Sequence, residues 1–233
     1  MRQLEGSMTL NMFDELIRVQ KEIASRIVLN DAFKTPPKTV AGVDSAFIKD
    51  KVITACIAMD YYSMRLTEAQ IVIAETDFPY IPTFLAFREA ACIIEAIKKL
   101  ETHVNVFLIN SHGIAHPRRC GCASHVGVEI GKPTIGVASS RLYGDFAKMP
   151  SKEGEAVPLT AEGQQIGWVL RTRESSKPIY ISPGHLVSLS TSLKVVKGCL
   201  KSHRLPEPLT AAHRLANMEK NRLIREGSGH VSR

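Results

Sequence analysis

Three polar positions interrupt otherwise apolar faces in this 233-residue chain, and their types suit a divalent-cation site. In TVAGVDSAFI (39–48), alternation puts Val40, Gly42, Asp44, Ala46 and Ile48 on one face. Asp44 then lies mid-strand among apolar neighbours, where an unpaired carboxylate is costly and calls for a cation or strong donors. Further on, Leu85, Glu89, Cys92, Ile93 and Ala96 fall on one helical stripe, with Glu89 as its polar member. Arg88 beside it offers a plain salt bridge as the alternative role. Position 110 closes the apolar stretch VNVFLI (104–109), on the face of Val104, Val106 and Leu108. Three carboxylates converging there would hold Mg²⁺ through oxygen ligands. Ions so held activate water and stabilise the leaving oxygen of a phosphodiester. The residue at 110, however, is Asn110. It can offer a carbonyl oxygen but no negative charge, and it cannot bridge two ions.

Other groups carry weaker chemistry. His116, Cys120, Cys122 and His125 could be drawn as a zinc site, but their spacing matches no common zinc module. Ser111-His112 lacks the glycine-flanked elbow of a serine nucleophile. His116, Arg118 and Arg119 read better as loop and phosphate-contacting positions, because a guanidinium grips phosphate through two bonds. Two solvated surface arginines are the plainer alternative. Neither a P-loop nor a Rossmann glycine pattern is found.

The elements that must position these residues follow from periodicity. Residues 12–28 read as a helix capped by Asn11, and Pro36-Pro37 break what comes next. Stretches 39–48, 51–60 and 66–75 read as an antiparallel meander with short connections. A helix over about 83–100, a strand over 104–109, a short helix over 121–130 and a strand over 133–138 follow. Two more strands are expected at 166–172 and 178–182, then amphipathic helices at about 188–201 and 208–225. A meander running into βαβ units makes an α/β fold: a mixed five-stranded sheet of ribonuclease H-like order, flanked by helices, with extra C-terminal strands and helices. In that order the strand over 104–109 lies beside the first strand, so Asp44, Glu89 and Asn110 can converge.

Composition constrains the rest. No apolar run approaches the roughly 20 residues that span a bilayer, and Met1–Met8 contain no secretory apolar core. The expected location is therefore cytoplasmic. Five cysteines, two of them inside apolar stretches, argue against a disulfide framework. The formal charge is +7, and residues 194–233 carry nine Lys or Arg against three Glu. That concentration suits a polyanionic partner, DNA or RNA, over a membrane. One domain is expected over 11–218, between a flexible tail at 1–10 and a polar tail at 219–233, acting as a monomer.

The segments VAGVDSAF (40–47), PYIPTFLAFRE (79–89), SHGIAHPRRCGCASHVGVEIGKPTIGVASSRLYG (111–144), SPGH (182–185) and RLPEP (204–208) together resemble the endonuclease V family, in order, from about residue 12 to 216. The resemblance implies a ribonuclease H-like fold and a Mg²⁺-dependent nick (Mn²⁺ being a substitute) on the 3′ side of deoxyinosine, a DNA-repair activity. Some members prefer inosine in RNA. It implies that Asp44 and Glu89 are metal-binding carboxylates, with Asn110 at the third position, and that His213 stands near the metal and its water. Tyr80, in the proline-stiffened run Pro79-Tyr80-Ile81-Pro82, matches a wedge that fills the gap left by an extruded base; flipping a base costs a few kcal/mol of stacking. Ile81, Pro82, Thr83, Leu85, Ser111, Cys122 and Ser139 join His116, Arg118 and Arg119 as implied nucleic-acid and base contacts.

Four positions depart from the family pattern. Asn110 replaces an aspartate, Ser111 and Thr83 replace glycines, and Ser139 replaces the lysine that ends a VAK motif. Site charge falls, a cation near the scissile phosphate is missing, and two side chains are added at the base site. The expectations are thus a weakened nuclease or, alternatively, an inactive homologue that binds inosine-containing or distorted nucleic acid.

Overall fold

The computed structural model describes residues 2–228, with side chains described from 12 to 226. Strands β1 (Thr39–Ile48), β2 (Lys51–Asp60), β3 (Leu66–Glu75), β4 (Val106–Ile109), β5 (Thr134–Ala138), β6 (Ala156–Ala161), β7 (Gln164–Leu170) and β8 (Ile179–His185) form one sheet in the order β3-β2-β1-β4-β5-β8-β7-β6. The first five strands keep the expected mixed pattern: β1 pairs antiparallel to β2 and parallel to β4, and β4 pairs parallel to β5. The C-terminal strands do not make a separate layer; they extend the same sheet through the antiparallel β5–β8 pair.

Helices cover both faces. On one side, α4 (Leu189–Gly198) and α5 (Glu207–Ser228) bury Val195, Val196, Leu209, Ala212 and Ala216 against Val40, Ala46, Val106 and Leu108. On the other, α2 (Ala86–Lys98) and α3 (Cys122–Ile130) bury Ala90, Ile93, Ala96, Ala123 and Val126 against Ala41, Val43, Phe107 and Ile109. Each face takes alternate residues of β1 and β4, as a period of two requires. Helix α1 (Arg2–Ser25) packs Ile23 against Cys120 and Val128. Ser188 caps α4 by accepting from the Thr191 N–H, and Gly131, at φ +60°, ends α3 in the left-handed conformation.

Several boundaries differ from expectation. Helix α1 begins at Arg2, so it takes in the segment expected as a tail, and Asn11 lies inside it instead of capping it. At the other end α5 carries the expected polar tail on as helix to Ser228; residues 229–233, like Met1, lie outside the described residues. Strand β6 escapes sequence reading because Pro158 marks a break, yet a proline is tolerated on an edge strand, and β6 ends the sheet. It reaches β7 through the two-residue turn Glu162-Gly163, both at positive φ, the hairpin turn that matches strand twist. All five cysteines are free and buried, and no helix among the described residues is long and apolar enough to cross a membrane.

The contact that matters most for the site is between β1 and α5. A Cβ at Gly42 would lie 2.1 Å from the carbonyl carbon of Pro208. Only glycine lets the start of α5 descend onto β1 at this point, which sets the helix over the same strand face that carries Asp44.

Candidate active site

Asp44 is 6% exposed and its carboxylate is fully engaged. Oδ1 accepts from the Ser45 N–H at 2.9 Å and from the Asn110 side-chain Nδ2 at 2.8 Å. Oδ2 meets His213 Nδ1 at 2.7 Å. Three elements thus deliver these groups to one point: β1 brings Asp44, the end of β4 brings Asn110, and α5 brings His213. The Asn110 N–H donates to the Val43 carbonyl at 3.0 Å, continuing the β1–β4 pairing one residue past β4. Residue 110 is thereby fixed beside the carboxylate. Burial pushes the Asp44 carboxyl above its ordinary range, while the Asn110 and His213 bonds hold it back.

Glu89 comes from the opposite face of the sheet, on the inward stripe of α2, and is 5% exposed. Burial is the main cause that pushes its carboxyl up to about 7; the Asp44 charge pushes the same way, while bonds from Cys122 and Ser45 oppose it. Asp44 and Glu89 therefore share one low-dielectric region. Arg88 is turned elsewhere: it donates to the Phe78 carbonyl at 3.0 Å and lies over the Phe47 ring at 4.6 Å. Its charge still lowers Glu89, as the last of the causes.

The oxygen-rich donor set fits a hard divalent cation, with one reservation of geometry. Among the described residues no group of three or more His, Cys, Asp and Glu is arranged to hold a metal. Asn110 presents its N–H₂ to Asp44, so it occupies with a neutral donor the side of the carboxylate that a cation would take. A half-turn of the amide would offer its carbonyl oxygen instead.

Beside Asn110 opens a cavity of about 260 Å³. Its walls include Tyr80, Pro82, Thr83, Leu85, Ser111, His116, Cys122 and Ser139, the greater part of the base-contact set implied by the sequence, together with Gln20 and His112. Asn110 belongs both to this cavity and to the carboxylate cluster, so it joins the two. Tyr80 stands at the rim, 68% exposed. His112 Nδ1 is buried without a hydrogen-bond partner, which a polar guest would relieve, and the Ser111 hydroxyl beside it has only the weakly polar Cys122 thiol to meet. Burial keeps the His112 and His116 rings neutral, lowered to about 4. Ile81, Arg118 and Arg119 stand outside the cavity wall. Arg119 pairs with Glu162 at 3.6 Å, and Arg118 is tied to Gln20 and Thr83.

Sequence reading missed Ser45 and the Cys122 thiol as partners of Glu89, and Gln20 as a buried polar residue. Gln20 had a usable signal, since it sits between Leu16 and Ile23 on the apolar stripe of α1, the same kind of break that exposed Glu89.

Comparison with known proteins places these residues in context. The family model described as Endonuclease V matches residues 21–214. An endonuclease V of Rippkaea orientalis is 42% identical over 210 residues, covering 89% of this chain and 91% of the relative. The crystal structure of endonuclease V from Bacillus subtilis superposes with a TM-score of 0.86 at 31% identity, covering 91% of this chain and 94% of that one. A Ciona intestinalis endonuclease V, in complex with DNA containing an inosine followed by a ribo-adenosine, superposes with a TM-score of 0.79 at 26% identity, covering 91% and 99%.

Proposed function

The chain belongs to the endonuclease V family of metal-dependent nucleases, and from that membership we propose that it hydrolyses the phosphodiester on the 3′ side of inosine or deoxyinosine, as a cytoplasmic, monomeric repair enzyme whose single domain spans residues 11–218. The observation that carries this reading is the junction at Asn110, where the buried Asp44 cluster meets a cavity rimmed by an exposed tyrosine.

Each residue has a task in this scheme. Tyr80 stacks where the extruded base was, using a ring presented between Pro79 and Pro82. The cavity behind it takes the base. Asp44 and Glu89 would hold Mg²⁺ or Mn²⁺, with the Asn110 carbonyl oxygen as a weaker third ligand after its amide turns. When bound, the ion supplies an activated water and charge stabilisation at the leaving oxygen. His213, exposed and oriented by Asp44, positions that water or takes its proton. Arg119 borders the path of the strand, and His116 stands in the wall of the cavity that takes the base. The basic C-terminal segment adds sequence-independent attraction to the backbone.

One observation favours a second reading. Asn110 joins Ser45 and His213 in satisfying Asp44 without a cation, and Ser139, at the cavity wall, brings no charge to the phosphate. Under this reading the chain binds inosine-containing or distorted nucleic acid without cutting it. Incubation with a labelled deoxyinosine strand and Mg²⁺ or Mn²⁺, in parallel with Asn110→Asp, separates the two. Cleavage by the parent establishes the nuclease. Binding alone, with cleavage appearing in Asn110→Asp, establishes the binder. Absence of binding by both proteins would refute both readings.

A further inference from the structure

Thr83 holds φ at +71°, in the left-handed region that a β-branched residue rarely adopts. It ends the short loop that presents Tyr80, and three donors from other elements converge on its carbonyl oxygen: Gln20 Nε2 at 2.7 Å, His116 Nε2 at 2.9 Å and Arg118 Nη2 at 3.1 Å. Arg118 Nη2 also donates to the Thr83 hydroxyl at 2.7 Å, and Arg118 Nε donates to Gln20 Oε1 at 2.5 Å. Gln20, Arg118 and Thr83 thus close a ring of hydrogen bonds. Gln20 and His116 are each 1% exposed, so the ring is anchored inside the protein. The Arg118 guanidinium further covers the Phe84 ring at 4.5 Å. At the other end of the loop, Arg88 holds the Phe78 carbonyl. Between the two moorings only Pro79 to Pro82 stand out, with Tyr80 foremost.

We propose that Thr83 and Arg118 form a latch that fixes the Tyr80 loop in its projecting conformation, and that Arg118 serves this loop in place of a phosphate. The hydroxyl is the essential part. A backbone carbonyl can be held in any residue, but only a side-chain oxygen gives Arg118 a second bond that offsets the strain of the left-handed turn. The latch also ties the loop to α1 through Gln20, so the stiffness of the wedge depends on a helix outside the cavity wall save for that one side chain. Thr83 and Arg118 are positioning residues: they act through Tyr80 and do not touch the reacting phosphate. That Tyr80 unstacks a base rests on the function proposed above; the latch itself does not.

Two measurements on the full chain separate those claims. Hydrogen exchange of the free protein reads the latch. Thr83→Val keeps the branched shape and removes the hydroxyl, and it should speed exchange of the loop amides over 77–85 by about tenfold or more, the loss of one charge-assisted bond. Exchange in β1 should not change. Arg118→Met should do the same, the double variant should add little to either single change, and Thr83→Ser should behave as the parent. Thr83→Gly guards against misfolding, because it removes the strain along with the hydroxyl; its loop should still exchange faster. Parent-like loop exchange in both Thr83→Val and Thr83→Gly, or additive effects in the double variant, would overturn the latch. A duplex carrying 2-aminopurine next to inosine then reads extrusion. The parent should raise its fluorescence on binding, and Thr83→Val should lower that amplitude several-fold while Thr83→Ser restores it. A full amplitude in Thr83→Val would sever the latch from extrusion. No rise with the parent would remove the wedge role together with the proposed function, and exchange would still decide whether the latch exists.

Discussion

The Asn110 amide donates to Asp44 Oδ1 at 2.8 Å, so a neutral side chain stands where a cation or a third carboxylate would face the buried aspartate. This single contact makes stability and cation affinity pull in opposite directions. Asn110→Asp exchanges a donor for a like charge in a dry cluster. Without divalent ions the variant should be less stable than the parent by about 1–3 kcal/mol. With Mn²⁺ it should gain more than the parent gains, because an ion bound only by the native state stabilises it. Thermal unfolding with and without Mn²⁺ checks both signs. Cleavage should recover only in part, since Ser139 still leaves the phosphate without its lysine; full recovery from this one change would show that Ser139 costs nothing.

Gly42 makes a sharper structural prediction. Pro208 backbone atoms lie where its Cβ would be, so Gly42→Ala must lift α5 off β1. Overpacking of this kind costs about 1–3 kcal/mol. The displaced helix also carries His213 away from Asp44. Urea unfolding should show the loss of stability, and the rate of cleavage at saturating protein should fall even at temperatures where the variant is fully folded.

Tyr80 should behave in the reverse manner. Its ring is 68% exposed, so Tyr80→Ala should change stability by no more than about 0.5 kcal/mol. Affinity for an inosine-bearing strand should drop by about 1–3 kcal/mol, the usual worth of one base–aromatic stack. Tyr80→Phe should keep most of it. Fluorescence anisotropy with a labelled strand measures all three proteins.

The buried histidines set a pH dependence. His116 falls to about 4 in the fold because burial disfavours its charged form, against about 6.5 in the unfolded chain. Its lowered value means that the unfolded state takes up a proton first. The stability it supports is present above pH 6.5 and is lost as pH falls toward 4, at up to about 1.4 kcal/mol per pH unit. His112 acts with the same sign. Glu89 acts with the opposite sign: its raised value favours the fold below pH 4.5 and loses that effect as pH climbs through about 7. Comparing the pH slope of urea unfolding between the parent and His116→Gln isolates one histidine, and the variant should lose about 1.4 kcal/mol per pH unit of slope between pH 6.5 and 4.5.

Much of this was legible in the sequence, for identifiable reasons. Strands β1, β2 and β3 begin and end where the extended runs and the short connections between them say. Asp44, Glu89 and Asn110 announced themselves as polar residues on apolar faces. His213 did not: an exposed histidine on a helix carries no local signal, and only the family resemblance singled it out. The Thr83 turn gave only the hint that the family keeps glycine there; the groups that hold its left-handed φ, Gln20 and the pair His116 and Arg118, come from two distant points in the chain. Strand β6 was hidden by Pro158, because a proline reads as a break although an edge strand, bonded on one side only, tolerates its missing N–H.

The most direct test is a Mn²⁺ titration of the parent, followed by electron paramagnetic resonance of the free ion, alongside Asp44→Asn, Glu89→Gln and Asn110→Asp. The account predicts binding by the parent, its loss in either carboxylate variant, and binding at least about tenfold tighter in Asn110→Asp, a difference of about 1.4 kcal/mol. Binding that survives both Asp44→Asn and Glu89→Gln would contradict it, for the ion would then be held somewhere else.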